Sequence, residues 1–320
     1  MHSLLVRRAG FLTTVQDLGR SGQRAIGVSL GGALDPHSLR VANFLVGNEE
    51  NAAGLEFTLG QSVLRFSDER LLAWCGGEFE MRIGSERIPA GHTFVIRADE
   101  ELHISAPAKG ARAWLAIVGG IDSPLVLGSR STDLRSGFGG WEGRALRDGD
   151  QLPLGPNSRG MRARISTWSA PNEWSKTRAH HEFLRFLRGA EWSDFEANAL
   201  LENSFTVSAD SDRMGVRLEG TALLRNRTTD LISEPVAPGT IQVPPNGQPI
   251  LLLGDCQTIG GYPKIAHVIT VDLSAAAQLR PGDSVRFVEV SLGEAQNLLH
   301  QRQRDLDIFR IGLSLQAGWS

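Results

Sequence analysis

Short strand-like runs separated by turn residues recur along the whole 320-residue sequence, and this pattern limits the possible folds more than any other feature. The 36 glycines are spread through the chain, which suits many tight turns because only glycine adopts positive φ at little cost. The run Glu80-Met81-Arg82-Ile83 alternates polar and apolar residues, as a half-buried antiparallel strand does. We therefore predict a mainly β fold of the barrel or sandwich type.

The predicted strands fall into two groups along the chain. Those of the first half are Val63–Phe66, Leu71–Cys75, Phe79–Ile83, Thr93–Ile96, Leu102–Ser105 and Ala113–Val118. Those of the second half are Ala163–Thr167, Ser204–Ser208, Ile250–Leu253, His267–Val271 and Ser284–Val290.

Few helices are expected, and the clearest one follows Asp35. Asp35 is placed to cap a helix that begins at Pro36, and residues 39, 42, 45 and 46 would then form its apolar face. Gly47 is a suitable residue for its C-terminal end. Ser291 and Glu294 have the spacing of a capping box at the start of a second helix.

A repeated turn suggests two halves of similar construction. Leu146-Arg147-Asp148-Gly149-Asp150-Gln151-Leu152 and Leu279-Arg280-Pro281-Gly282-Asp283-Ser284-Val285 share a Gly-Asp turn ahead of a late strand. A chain of this length is long enough for two domains. We place the boundary in the turn-rich stretch Gly155-Pro156-Asn157-Ser158, which divides the chain into residues 1–157 and 158–320.

Composition narrows the class of partner and the compartment. A net charge of −3 argues against nucleic acid, because binding to phosphates requires a dense Lys/Arg surface. No run approaches the ~18 apolar residues of a membrane span, and the opening MHSLLVRRAG lacks the apolar region of a signal peptide. The two cysteines are far apart, which favours a reducing compartment. We expect a cytoplasmic protein that binds neither nucleic acid nor membrane.

Several common catalytic motifs are missing. The sequence contains no phosphate-binding P-loop, no dinucleotide-binding glycine motif after a strand and no zinc-protease spacing, and no metal site is predicted. Gly27-Val28-Ser29-Leu30-Gly31 matches the nucleophile elbow in its letters only. That motif requires a strand-to-helix turn in an α/β sheet, so we interpret this segment as a glycine loop.

Two stretches combine polar residues with glycines, and they are the candidate site. The first runs from Thr13 to Arg20, and the second runs from Gly254 to Lys264 directly after an apolar strand. Small polar ligands require convergent polar groups in a concave site. We hypothesise that the two stretches meet around a shared hollow. Residue types alone leave open the alternative of a turn network that only stabilises the barrel strands.

The order of several sequence blocks resembles the KipA family, also called allophanate hydrolase subunit 2 or the biotin-dependent carboxyltransferase A/B domain. The blocks are Thr14-Val15-Gln16-Asp17-Leu18-Gly19-Arg20, Leu55-Glu56-Phe57-Thr58, Ser131-Thr132-Asp133-Leu134, Asp212-Arg213-Met214-Gly215, Glu234-Pro235-Val236 and Gln257 to Ala266. The resemblance extends from about residue 5 to 290. Ser29, Leu34 and Val216 depart from the residues that are usual in the family.

The resemblance implies a fold of two cyclophilin-like β-barrels with a few short helices. It implies that the chain is one component of an ATP-dependent 5-oxoprolinase, which converts 5-oxoproline to glutamate, with ATP bound at or with a partner subunit. The implied partners are a KipI-like protein (allophanate hydrolase subunit 1) and a LamB/YcsF-like subunit. Two alternatives stay open. One is a urea- or allophanate-type carboxyltransferase component that receives biotin from another chain, and the other is a non-catalytic regulator that binds a KipI-like protein.

The resemblance also implies the site residues. The expected catalytic residues are Lys264, Asp255, Asp17 and Arg213, and the expected substrate-binding residues are Gln16, Asp35, Asn43, Asp212, Gln242, Gln257, Thr258, Gly260, Gly261 and Tyr262. Lys264 and Arg213 would stabilise an oxyanion, and Asp255 or Asp17 would orient or deprotonate the attacking group. The glutamine side chains would bind an amide through paired donors and acceptors. A purely structural ion pair between lysine and aspartate remains the alternative.

Overall fold

The computed structural model describes residues 2–157, 168–175, 183–196, 198–227 and 231–317. The predicted strand Ala163–Thr167 lies outside these residues. The chain divides into two compact units, each made of more than one segment. The first consists of Met1–Arg20, Gly31–Arg178 and Asp305–Ser320, and the second of Ser21–Leu30 and Ala179–Arg304. The predicted boundary after residue 157 falls within a segment of the first unit and stays a prediction about domains.

The first unit contains two antiparallel sheets. Its strands are β1 Ser3–Arg8, β2 Leu12–Gln16, β3 Gly54–Thr58, β4 Ser62–Phe66, β5 Arg70–Gly76, β6 Met81–Ile83, β7 Glu86–Ile88, β8 Thr93–Ile96, β9 Glu101–Ile104, β10 Arg112–Ile117 and β11 Gln151–Pro153. The six-stranded sheet has the order β11-β1-β4-β9-β6-β7, and the five-stranded sheet has the order β2-β3-β10-β5-β8. Its helices are α1 Pro36–Leu45 and α2 Asn172–Ser175.

The β5 strand shows why the first unit has two apolar cores. Leu72 and Trp74 belong to the core that the two sheets share, whereas Ala73 and Cys75 belong to a second core. Successive side chains of a strand point to opposite faces, so every residue of β5 is buried. The second core contains apolar residues of α1 and of the last helix.

The second unit contains a closed seven-stranded barrel with the order β12-β19-β16-β17-β14-β13-β20. The strands of the second unit, including two outside the barrel, are β12 Phe183–Arg188, β13 Phe205–Val207, β14 Gly215–Glu219, β15 Glu234–Pro235, β16 Thr240–Gln242, β17 Ile250–Leu252, β18 Ile259–Gly260, β19 Lys264–Val268 and β20 Ser284–Glu289. The pairs are antiparallel except β12 with β20, which are parallel. Strands β15 and β18 form a separate two-stranded sheet. The short helices are α3 Ala199–Glu202 and α4 Leu273–Ala276.

The mainly β prediction is confirmed, and one unit is a closed barrel. In the first unit the described strands form two antiparallel sheets. The helix predicted to begin after Ser291 is confirmed as α5, which extends over the 26 residues Leu292–Ala317. The backbone N–H of Glu294 donates to the Ser291 hydroxyl at 3.1 Å. Leu306, Phe309 and Leu313 of α5 follow helical spacing and are buried in the second core of the first unit, which explains its length.

The predicted α1 helix is confirmed in detail. Its N-cap is Asp35, whose carboxylate accepts hydrogen bonds from the backbone N–H and the hydroxyl of Ser38. Pro36 occupies the first helical position, where its missing N–H has no cost. Gly47 follows the helix with a φ of +72°, a conformation that favours glycine.

Candidate functional site

The second unit contains a polar cavity of about 490 Å³ on the side of the barrel formed by β14 and β17. Its other walls are the 208–212 and 244–249 loops, together with side chains that follow β16 and β17. The polar lining residues include Asp210, Asp212, Arg217, Glu219, Gln242, Asn246, Gln248, Gln257 and Tyr262. Four predicted substrate-binding residues therefore lie around one cavity: Asp212, Gln242, Gln257 and Tyr262.

The side-chain amides of Gln242 and Gln257, which both line this cavity, are hydrogen-bonded to each other. The Nε2 of Gln257 donates to the Oε1 of Gln242 at 3.3 Å, and the Nε2 of Gln242 donates to the Tyr262 carbonyl at 3.4 Å. Gln242 ends β16 next to a register irregularity against β19. The two linked amides together present N–H donors and C=O acceptors, the groups that bind an amide or lactam.

Gly260 leaves the space that the Gln242 amide occupies. A Cβ atom at position 260 would lie 2.6 Å from the Nε2 of Gln242. A Cβ at the neighbouring Gly261 would lie 3.2 Å from its nearest atom, the Ser233 hydroxyl oxygen. Of these two predicted residues, Gly260 thus sets the position of the amide directly.

The predicted catalytic residues Arg213 and Asp255 form a buried ion pair with each other. The Nε and Nη2 of Arg213 donate to the two carboxylate oxygens of Asp255 at 2.8 and 3.1 Å. Bidentate pairs of this kind fix geometry as well as charge. The pair anchors the chain directly before Gln257, and neither residue lines the cavity.

Asp212 has a backbone role in the same loop. Its Oδ1 accepts from the N–H groups of Met214 and Gly215 at 2.7 and 3.2 Å. Such Asx turns are typical of aspartate in tight loops. The side chain stabilises the turn ahead of β14 and also lines the cavity.

Lys264 lies between two glutamates that the sequence had not indicated as site residues. Its Nζ is 2.9 Å from Glu234 Oε2 and 3.6 Å from Glu191 Oε2, and Glu191 also accepts from the Lys264 backbone N–H at 2.8 Å. In the ladder between β16 and β19, Lys264 is opposite Gln242. The expected lysine–aspartate pair is therefore replaced by two lysine–glutamate contacts.

The surroundings of Lys264 also affect a histidine on the same strand. Burial lowers the pKa of the His267 imidazole, and the charge of Lys264 lowers this pKa further. The Nδ1 of His267 is 3.3 Å from the Thr240 hydroxyl. A lowered pKa favours the neutral ring near neutral pH.

Thr258 helps to position the loop of Gln257 through its backbone carbonyl. Its carbonyl oxygen accepts from the N–H of Val236 at 3.0 Å, next to the pairing of β15 with β18. This contact holds the loop of Gln257 beside the strand that carries Glu234. The Thr258 side chain is buried and does not line the cavity.

In the first unit, the predicted residue Asp17 is enclosed by hydrogen-bond donors. Its carboxylate accepts from the hydroxyls of Ser129 and Ser131 and from the backbone N–H groups of Gly19 and Arg130, at 2.5–2.8 Å. A carboxylate with this many donors stabilises the connection between two chain segments. These contacts favour a structural role over that of a general base.

Gln16, Asp35 and Asn43 are also buried in the first unit. The Gln16 amide donates to Thr14 and to the Thr132 carbonyl, and the Asn43 amide donates to the Glu50 and Ala52 carbonyls. Asp35 caps α1, and its charge adds to the effect of burial in raising the pKa of the Cys75 thiol. These hydrogen bonds hold the backbone segments that they join. That the stretch of Gln16 and Asp17 meets the stretch from Gly254 to Lys264 stays a prediction.

A second cavity of about 640 Å³ lies in the second unit beside the first one. It is mainly apolar, and Pro244 and Tyr262 line both cavities. The exposed side chains of Leu224 and Tyr262 form part of it. Tyr262 therefore lies between the polar cavity and the mainly apolar cavity.

Two further observations concern the described residues alone. Among them, no group of three or more His, Cys, Asp or Glu side chains is arranged to bind a metal ion. None of their helices has the length and apolar character needed to span a bilayer. Ser29 of the elbow-like motif lies in an irregular segment rather than between a strand and a helix, so it does not form a nucleophile elbow.

Comparison with known proteins gives a consistent result. The model of the carboxyltransferase domain, subdomains A and B, matches residues 26–289. The chain is 42% identical over 304 residues to the C subunit of 5-oxoprolinase from Escherichia coli, covering 94% of this chain and 96% of that protein. It is 38% identical to the C subunit of 5-oxoprolinase from Haemophilus influenzae, covering 93% and 94%. The structure of the Kluyveromyces lactis urea carboxylase superposes with a TM-score of 0.89 at 29% identity, covering 96% of this chain and 29% of that one.

Proposed function

The chain belongs to the family of carboxyltransferase domains with subdomains A and B, and from that premise we propose that it is the C-type subunit of an ATP-dependent 5-oxoprolinase. In this proposal the complex opens the lactam of 5-oxoproline to give glutamate in the cytoplasm. The observation that carries it is the 42% identity to a protein of that name over 96% of its length. The similarity extends over 94% of this chain.

The proposal assigns lactam binding to the amides of Gln242 and Gln257. A lactam presents one N–H and one C=O in a fixed cis arrangement, which two linked glutamine amides can match with an acceptor and a donor. Both amides line the cavity of about 490 Å³, which is large enough for a five-membered ring. Gly260 and the Arg213–Asp255 pair would act as positioning residues.

Lys264 is proposed as the residue that stabilises developing negative charge. When the lactam carbonyl is attacked or activated, its oxygen becomes an oxyanion, and a preorganised cation lowers the energy of that state. Lys264 is opposite Gln242 in the strand ladder, although Lys264 itself does not line the cavity. Glu191 and Glu234 would orient the ammonium group.

The complex would contain a KipI-like protein and a LamB/YcsF-like subunit. ATP would bind at or with one of these partners, and its phosphoryl chemistry would activate the lactam. The role of this chain is then recognition of the lactam and charge stabilisation.

A second candidate is a urea- or allophanate-type carboxyltransferase component. It is supported by the TM-score of 0.89 to the urea carboxylase structure. In that case another chain would carry the biotin, and the Gln242–Gln257 amides would bind urea. The two candidates share the amide-binding cavity and differ in whether carboxybiotin or ATP supplies the activated group.

The test is co-expression of this chain with its KipI-like and LamB/YcsF-like partners, followed by measurement of ATP hydrolysis with and without 5-oxoproline. We expect 5-oxoproline to stimulate hydrolysis, and Lys264→Ala to lower the stimulated rate ~100-fold or more, as loss of an oxyanion-stabilising group does. Lys109→Ala, at an exposed position of the first unit, is the control. A wild-type complex without stimulation, but with transfer of carboxyl from carboxybiotin to urea, would favour the second candidate. A fully active Lys264→Ala complex would remove the role given to Lys264.

A further inference from the structure

We propose that Arg217 binds the carboxylate of the substrate and so determines specificity for an anionic lactam. This inference rests on the proposed 5-oxoprolinase function and concerns the same cavity. 5-Oxoproline has two recognisable parts, a neutral lactam and a carboxylate that is ionised at neutral pH. The glutamine amides account for the lactam only, so a site that selects 5-oxoproline also needs a cation.

Arg217 is placed where that cation is required. It lies on β14, and its side chain lines the same cavity as Gln242 and Gln257. Among the described lining residues, Arg217 is the only arginine or lysine. Its guanidinium is therefore the one fixed positive charge that these residues offer to an anion bound there.

The Arg217 backbone is fixed while its guanidinium is available. The N–H of Arg217 donates to the Ser211 hydroxyl at 3.0 Å, and its carbonyl accepts from the N–H of Ser208 at 2.9 Å. In the part of the chain that the structure describes, no hydrogen bond or ion pair engages its guanidinium. A planar fork of N–H donors that has no protein partner there is suited to bidentate binding of a carboxylate.

Other arginines near the loop are already committed to protein carboxylates. Arg213, four residues earlier, forms the buried pair with Asp255. Arg225 of the neighbouring apolar cavity pairs with Asp194 at 2.9 Å. Breaking a buried pair to free such an arginine would leave an unpaired charge, which is strongly unfavourable. The geometry therefore points to Arg217 rather than Arg213 as the substrate's arginine.

The negative charges that line the cavity also bear on the role of Arg217. Asp210, Asp212 and Glu219 also line it, so an anion would be repelled in the absence of the guanidinium. All three carboxylates are exposed, so solvent and salt weaken their repulsion of a bound anion. Because the arginine attracts an anion and the carboxylates repel it, we expect opposite changes in affinity for 5-oxoproline when a positive or a negative charge of the cavity is removed.

The experiment measures binding by titration calorimetry to the assembled wild-type and variant complexes. The two ligands are 5-oxoproline and 5-oxoprolinamide, which has a neutral carboxamide in place of the carboxylate. Arg217→Ala should raise the Kd for 5-oxoproline ~10- to 100-fold, as expected for loss of a charged hydrogen bond, and should change the Kd for the amide little. Arg217→Lys should recover part of the affinity, because the charge is kept and the bidentate geometry is lost.

Two variants control for nonspecific effects. Arg286→Ala removes another exposed strand arginine of the same barrel, outside the cavity, and should leave both Kd values unchanged. Asp210→Asn removes a negative charge of the cavity and should lower the Kd for 5-oxoproline only.

The results distinguish a failure of the role given to Arg217 from a failure of the proposed 5-oxoprolinase function. If the wild-type complex binds 5-oxoproline and Arg217→Ala leaves the Kd unchanged, or weakens both ligands equally, the role of Arg217 is wrong while the proposed function stands. If the wild-type complex neither binds 5-oxoproline nor hydrolyses ATP in response to it, both are wrong.

Discussion

At the residue scale, the proposed chemistry of the cavity depends on amides and cations rather than on carboxylates. Asp17 and Asp255 are the two carboxylates expected to act as bases, and each has its oxygens engaged by protein donors. Using either one as a base would require breaking these hydrogen bonds. Gln242 and Gln257 line the cavity, whereas Asp17 and Asp255 do not. We infer that the aspartates build the site and that the glutamines bind the ligand.

The close approach of Gly260 to the Gln242 amide gives a direct test of this inference. In Gly260→Ala the new Cβ would be 2.6 Å from the Nε2 of Gln242, so the amide must move out of its position. Because that atom is the end of a flexible side chain, the fold should tolerate the change. We expect the KM for 5-oxoproline to rise by up to ~10-fold, the equivalent of about one hydrogen bond, with little change in melting temperature.

Gly261→Ala is the matched control for this prediction. Its Cβ would lie 3.2 Å from the Ser233 hydroxyl oxygen and 3.8 Å from the Leu231 carbonyl oxygen, and would leave the Gln242 amide in place. Equal effects of the two variants on KM, or no effect of either, would contradict the proposed role of the amide.

At the scale of elements, the repeated Gly-Asp turn has the same geometry in both units. Gly149 and Gly282 have φ values of +91° and +87°. The carboxylates of Asp150 and Asp283 accept from the N–H three residues earlier, at 2.7 and 2.8 Å. Each glycine N–H donates to a strand residue, Val6 or Val207, at 2.7 and 2.8 Å. The same contacts at equivalent positions support an origin of the two halves by duplication.

This turn predicts a stability effect that depends on a single hydrogen bond. Asp283→Ala removes the acceptor for the Arg280 N–H and should lower the free energy of unfolding by about 1 kcal/mol. Asp283→Asn keeps an acceptor oxygen and should be close to neutral. Asp150→Ala should cost more, because Asp150 also pairs with Arg144. Urea denaturation followed by circular dichroism measures all three. A neutral Asp283→Ala, or an Asp283→Asn as destabilising as alanine, would show that the side chain does not stabilise the turn.

Local signals explain which elements could be predicted from the sequence. The α1 helix has its cap, its proline and its terminal glycine within a few residues of one another, and β8 coincides with the predicted run Thr93–Ile96. The strand expected at His267–Val271 ends earlier, at Val268, because Thr270–Asp272 forms a 3-10 turn. The buried face of α5 packs on elements distant in sequence, so nothing local indicated its length.

The sequence indicated several residues of the candidate site but few of the contacts between them. The glycine-rich stretch after β17 indicated Gln257 and Tyr262, and both line the cavity. Of the two glutamates that contact Lys264, Glu191 could not be found in this way, because it is 73 residues away and carries no local signal. Arg217 was likewise hidden in an ordinary alternating strand, where an exposed arginine is common.

At the scale of the whole molecule, the chain is a family domain whose two units are built from interleaved segments. Ser21–Leu30 belongs to the second unit although the residues on both sides belong to the first. The predicted boundary after residue 157 instead divides the chain into two continuous halves, and it stays a prediction about domains. The family match extends over residues 26–289 and therefore includes parts of both units.

The central claim is that the amide-lined cavity of this chain binds the substrate of a 5-oxoprolinase complex. The most direct measurement is the conversion of isotopically labelled 5-oxoproline to glutamate by the assembled complex, with wild-type or Gln257→Ala chain and ATP present. The account predicts glutamate formation by the wild-type complex, and a loss of ~10-fold or more in kcat/KM for an equally assembled Gln257→Ala complex, in line with loss of a hydrogen bond to substrate. Glutamate formation at the wild-type rate by the Gln257→Ala complex, or by the partners without this chain, would contradict it.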